Sequence, residues 1–161
     1  MKRITSLFLL FTLLFCGCQS KSDTTYGDSL SPDALADACA KALGMDAVSG
    51  NADELDVAEL PQDAEFAVRY AANRNNLDEF GILRTDRPEH DAKVLESYLK
   101  QSFLDNRSYY DSYIPAETPK LRDAEVRVFG HYAVYAILDG DRRAALFKTV
   151  REQLLSCQDR A

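Results

Sequence analysis

The hydrophobic positions of this chain change period several times along its length. Residues 4–15 form an apolar run broken only by Thr and Ser, with Lys2 and Arg3 just before it. The run is about half of the roughly 20 residues a spanning helix needs, so it reads as the h-region of a signal peptide and not as a membrane span. Residues 19–31 are small and polar with no apolar period, which predicts a flexible tether.

Helical spacing begins at Ser31-Pro32. Ser31 suits an N-cap, Pro32 the first helical position and Asp33 the positive end of the helix dipole. Leu35, Cys39 and Leu43 recur at i, i+4 and i+8, and Gly44 is a natural stop. Residues 46–62 are weakly patterned. In residues 64–72, Phe66, Val68 and Tyr70 alternate as in a strand. Residues 73–76 form a turn-rich connector and residues 79–84 a second strand, predicting an antiparallel hairpin.

Asp86, followed three residues later by Glu89, has the form of a capping box. A long helix follows, with Leu95, Leu99, Phe103, Tyr110 and Tyr113 spaced for one face. It ends at Ile114-Pro115, because a residue before Pro avoids helical geometry. Residues 116–122 are expected to be a loop. Residues 125–138 contain two alternating runs separated at Gly130-His131, a second hairpin. Asp139-Gly140-Asp141 turns the chain into a last helix with Phe147, Val150, Leu154 and Cys157 on its stripe. The predicted order is α-ββ-α-ββ-α. That is an α+β domain over residues 32–161, with an antiparallel sheet built from two β-hairpins and helices packed on one face.

Composition sets bounds on this picture. Of 161 residues, 46% are apolar and 28% charged, which suits a globular domain. The formal net charge is −7, and −9 once Lys2 and Arg3 are removed with the signal. So acidic a surface argues against nucleic acid as a partner and against electrostatic binding to anionic lipid.

The end of the first apolar run, Phe15-Cys16-Gly17-Cys18, resembles a bacterial lipobox, in which a small residue precedes a cysteine that receives a diacylglycerol thioether before cleavage. Gly17 takes the small position and Cys18 the lipidated one, while Phe15 stands where Leu is usual. The resemblance implies a signal peptide at residues 1–17 and a lipidated cysteine with its tether at residues 18–31. The mature chain would be held to the membrane through Cys18, on the outer face of the bacterial cytoplasmic membrane. Three further stretches resemble the bacterial lipoproteins, mainly Gram-positive, catalogued as domain of unknown function 4358. They are the acidic-apolar strand at residues 78–83, the Tyr-Pro helix exit at residues 109–115, and the strand, Gly-Tyr turn and return strand at residues 123–134. That resemblance supports location and fold and implies no catalytic residue.

Two thiols would remain in an extracytoplasmic domain, Cys39 and Cys157, each on an apolar helix stripe. Either they are buried small hydrophobes, or they form a disulfide joining the first and last helices. Such a bond would contribute on the order of 4–5 kcal/mol if unstrained, and the position of one thiol near each end favours it.

Catalytic chemistry is not legible. His90 and His131 lie in different elements without ligand spacing, so no metal site is expected. There is no nucleophile elbow and no glycine-rich phosphate loop, and no cofactor is expected. Asp139 and Asp141 read as helix caps and not as a calcium loop. Tyr109, Tyr110, Tyr113 and Tyr132 are candidates for a binding face, weighed against core packing. The expectation is a non-enzymatic binding or scaffolding lipoprotein of the cell envelope, with an envelope protein or glycan as partner. The alternatives are an extracytoplasmic hydrolase acting on cell-wall material, or a small-ligand carrier.

Overall fold

The structure, a computed structural model, describes residues 25–50, 60, 64–73 and 75–158. Its elements are α1 (Pro32–Ala42), β1 (Ala47–Gly50), β2 (Glu65–Ala71), β3 (Glu79–Arg84), α2 (Pro88–Tyr113), α3 (Thr118–Arg122), β4 (Glu125–Phe129), β5 (Tyr132–Ile137) and α4 (Gly140–Gln158). The strands form one antiparallel sheet in the order β1-β2-β3-β5-β4. The α+β class and both hairpins are those the residue pattern predicts.

Local chemistry explains the element ends. Ser31 Oγ accepts the Ala34 N–H at 3.3 Å, and Gly44 follows α1 with a φ of 57° that favours glycine. Gly130 turns the β4–β5 hairpin at a φ of 58°. Asp139 Oδ1 accepts the Arg142 N–H at 3.0 Å and so caps α4.

The sheet is covered on both faces, which corrects the expectation of helices on one face. Alternate residues of β5 separate the two layers. Tyr132, Val134 and Ala136 join Leu35 and Cys39 of α1 and Leu146, Val150 and Leu154 of α4 in the main core. Ala133 joins Leu83 and Leu95 of α2 in a smaller core on the other side. The physical reason lies in β3 and β5, where successive residues are nearly all buried. A strand buried on both sides requires a cover on each.

Three local expectations also change. β1 arises from the weakly patterned stretch as a four-residue edge strand, too short to show a period. The segment expected as a loop contains the single turn of α3. Arg87, not Asp86, precedes α2 as its N-cap, without a side-chain cap. The capping chemistry is shifted to Thr85, whose Oγ1 accepts the Arg87 N–H at 3.1 Å and donates to the fully buried Asp91 at 2.6 Å.

Part of the segment expected as a tether is docked on the domain. Tyr26 packs edge-on against Phe129 with ring centres 5.8 Å apart. Gly27 N donates to Leu154 O at 3.1 Å, and Tyr132 Oη donates to Leu30 O at 2.7 Å. The chain is therefore docked on the domain from Tyr26 onwards. The expected signal peptide, the candidate lipidation site Cys18 and residues 19–24 lie outside the described residues. Among the described residues, no helix is long and apolar enough to cross a membrane.

Candidate functional site

On the α2 side of the sheet, strand register lines up Val48, Tyr70, Glu79 and Ile137 across four strands. The next row on that face is Gly50, Val68, Gly81, Tyr135 and Val126. Directly opposed residues point to the same side of a sheet, so Glu79 and Tyr135 are diagonal neighbours. Tyr135 Oη donates to Glu79 Oε1 at 2.5 Å.

Gly81 makes this contact possible. A Cβ at that position would stand 2.1 Å from Tyr135 Cε1, so only glycine leaves room for the ring to lie across β3. Phe66 meets the same ring edge-on at 6.1 Å. Burial raises the Glu79 carboxyl above its ordinary value, against the opposing pull of the Tyr135 hydrogen bond. Burial, and then the neighbouring Glu79 charge, push the Tyr135 phenol well above its ordinary value too.

Glu79 opens onto a cleft of about 420 Å³ lined also by Val48, Tyr70, Leu77 and Asp78. Val48 and Tyr70 are 41% and 38% exposed, among the few large hydrophobic side chains that reach solvent. The cleft thus has an apolar, aromatic rim and a carboxyl group anchored at its floor, a composition suited to ligands.

Asp78 lies beside Glu79 in the chain but serves the fold. It is 1% exposed. Its carboxylate accepts from Lys120 Nζ at 2.8 Å and Asn76 Nδ2 at 3.1 Å, and pairs with Arg142 of α4. Glu117 accepts the Leu77 N–H at 2.9 Å and the Lys120 ammonium at 2.7 Å. This network ties the start of β3 to α3 and α4 and gives the cleft a rigid wall.

A larger cleft of about 790 Å³ lies at the opposite end of the sheet, between Asp28, Glu65, Arg84, Arg87 and His131. Both of its arginines already have partners. Arg84 pairs with Glu65 and donates to Asp28 O at 3.1 Å, and Arg87 reaches Asp91 at 3.2 Å. The smaller cleft, with a partly free carboxyl group and exposed aromatic surface, is the better candidate site.

The tyrosines expected to share a face divide. Tyr109 packs at a tilt 4.8 Å from Tyr113 and edge-on 5.8 Å from Tyr110, and Tyr109 and Tyr113 remain 56% and 72% exposed. Tyr110 turns inward, where burial and then the charge of Glu79 raise its phenol. Tyr132 does not belong with them: it is fully buried on the other face of the sheet and bonded to Leu30. Core packing at that position follows from the alternation of β5.

Cys39 and Cys157 are free thiols, so the candidate disulfide is absent from the structure. Cys39 is sealed in the main core, and burial pushes its thiol up to about 12. Cys157 is half-buried beside Gly27. Among the described residues, no cluster of His, Cys, Asp and Glu could hold a metal ion.

Glu79, Tyr70 and Tyr135 escaped the sequence reading because each has an ordinary identity in a strand. The available signal was an acidic residue opening the otherwise apolar run Phe80-Gly81-Ile82-Leu83. No family model, no curated protein and no solved structure matches the chain.

Proposed function

We propose that this chain is a membrane-anchored extracytoplasmic lipoprotein whose domain is a non-enzymatic binding module of the cell envelope, with the Glu79 cleft as its site. The anchoring rests on the basic n-region, the short apolar run and the Gly17-Cys18 pair. The binding role is carried by one observation: the Glu79 carboxyl, held by Tyr135, opens beside exposed Tyr70 and Val48 in a cleft of about 420 Å³. An aromatic surface next to a carboxyl that accepts hydrogen bonds suits a glycan or a peptide segment carrying hydroxyl or amine donors.

A hydrolase working through a carboxyl pair would need two carboxyl groups in different protonation states facing one substrate. Asp78 lines the same cleft, yet Lys120, Asn76 and Arg142 occupy its oxygens. That arrangement favours the binding role.

The test is a photoreactive residue at Tyr70 in the full lipidated chain, crosslinked in living cells. Specific capture is expected from position 70 and not from Lys148, an exposed position on α4. Glu79→Gln should reduce that capture. Equal capture from positions 70 and 148 would remove the cleft from consideration.

A further inference from the structure

We infer that the end of the domain formed by the β4–β5 turn and the start of α2 faces the lipid headgroups, so that the Glu79 cleft opens away from the membrane. The inference rests on the proposed lipidation of Cys18.

The chain docks at one end of the sheet only. Tyr26 covers Phe129, and a Cβ on Gly130 would come within 3.1 Å of Tyr26 Cβ. Asp28 O accepts from Arg84, and Leu30 O from Tyr132. Phe129, Tyr132 and Arg84 occupy the last paired row of the sheet, whereas Glu79 begins β3 at its other end.

Length then excludes the inverted orientation. Eight Cα–Cα steps lead from Cys18 to Tyr26 and reach at most about 29 Å fully extended. A domain of this size is about 36 Å across, from the scaling of its radius of gyration. Turned over, it would hold Tyr26 farther from the headgroups than the tether can reach. The docked end carries both signs of charge, Arg84 and Arg87 beside Asp28, Glu65 and Asp86, so the orientation rests on the docking and the tether length.

The test uses the full chain expressed in a bacterium that lipidates such signals, carrying an encoded fluorophore at His131 or at Tyr113. Isolated membranes receive an acceptor-labelled headgroup lipid. Mass spectrometry of the N-terminal peptide reads the lipid on Cys18 separately. Several-fold greater energy transfer from position 131 than from position 113 is expected, and a long Gly/Ser insertion after Ser20 should abolish the difference. Equal or reversed transfer with the lipid present overturns the orientation alone. Absence of lipid on Cys18 overturns the anchoring and the orientation together. A difference that survives the insertion overturns the short tether as its cause.

Discussion

Tyr135 and Glu79 lie on adjacent strands, one row apart, and share a 2.5 Å hydrogen bond from phenol to carboxyl beneath α2. The bond depends on a gap in the sheet, since Gly81 opposes Tyr135 and leaves its ring room to reach Glu79. The candidate site is therefore a product of strand register.

The pH dependence of stability should carry the mark of Glu79. Burial raises its carboxyl above the ordinary 4.5, so between that value and the raised one the native state holds a proton that the unfolded chain has released. Its contribution is fully present below the unfolded value and is lost as pH rises through the native one. Glu79→Gln removes this loss. Urea denaturation of both proteins from about pH 4 to about pH 8 should show the variant gaining on the wild type as pH rises. Glu117 and Asp123, whose carboxyls are lowered, act in the opposite sense but equally in both proteins. A constant difference across the range would show that Glu79 titrates normally.

Gly81→Ala should destabilise the domain by about 1–3 kcal/mol, because the added Cβ overlaps the Tyr135 ring. The near-ultraviolet signal of the tyrosines should change with it. A variant of wild-type stability would mean that the ring has another place to go.

Asp78→Ala leaves Lys120 and Arg142 facing each other without their shared carboxylate. With Asp78 1% exposed, the expected loss is about 3 kcal/mol, read from denaturant midpoints. A loss under about 1 kcal/mol would place this network among ordinary surface ion pairs.

Arg69 offers a test of asymmetry. It is 5% exposed, yet its partners Asp33 and Asp37, at 3.0 and 2.8 Å, are largely in water. Replacing both aspartates with Ala strands a buried charge and should cost about 3 kcal/mol, whereas Arg69→Met should cost less than about 1 kcal/mol. The reverse order in thermal or urea unfolding would contradict the burial argument.

Cys39 should resist alkylation in the native protein and react only on unfolding, since its thiol is buried and pushed up to about 12. Cys157, half-buried, should react first. Mass spectrometry of iodoacetamide-treated protein distinguishes the two, and recovery of a Cys39–Cys157 bridged peptide would restore the disulfide.

Much of this fold was legible because its signals are local. Ser31, Gly44 and Gly130 act on their own backbone and near neighbours, and the alternation in residues 64–72 and 125–138 belongs to each strand alone. Those features determine the α+β class, both hairpins and the order of the elements other than β1 and α3 from the sequence by itself. Tertiary structure decided what depends on distant partners. β1 exists because Val48 finds Tyr70, and Tyr26 is bound because Phe129 awaits it. α2 crosses to the second face because β3 and β5 are apolar on both sides. A 26-residue helix runs about 39 Å, longer than six-residue strands can cover, which leaves Tyr109 and Tyr113 in solvent while Tyr132 is buried. Glu79 illustrates the limit most clearly. In sequence it is one acidic residue among 26. Its raised carboxyl and its tyrosine partner exist only once three strands have paired in register.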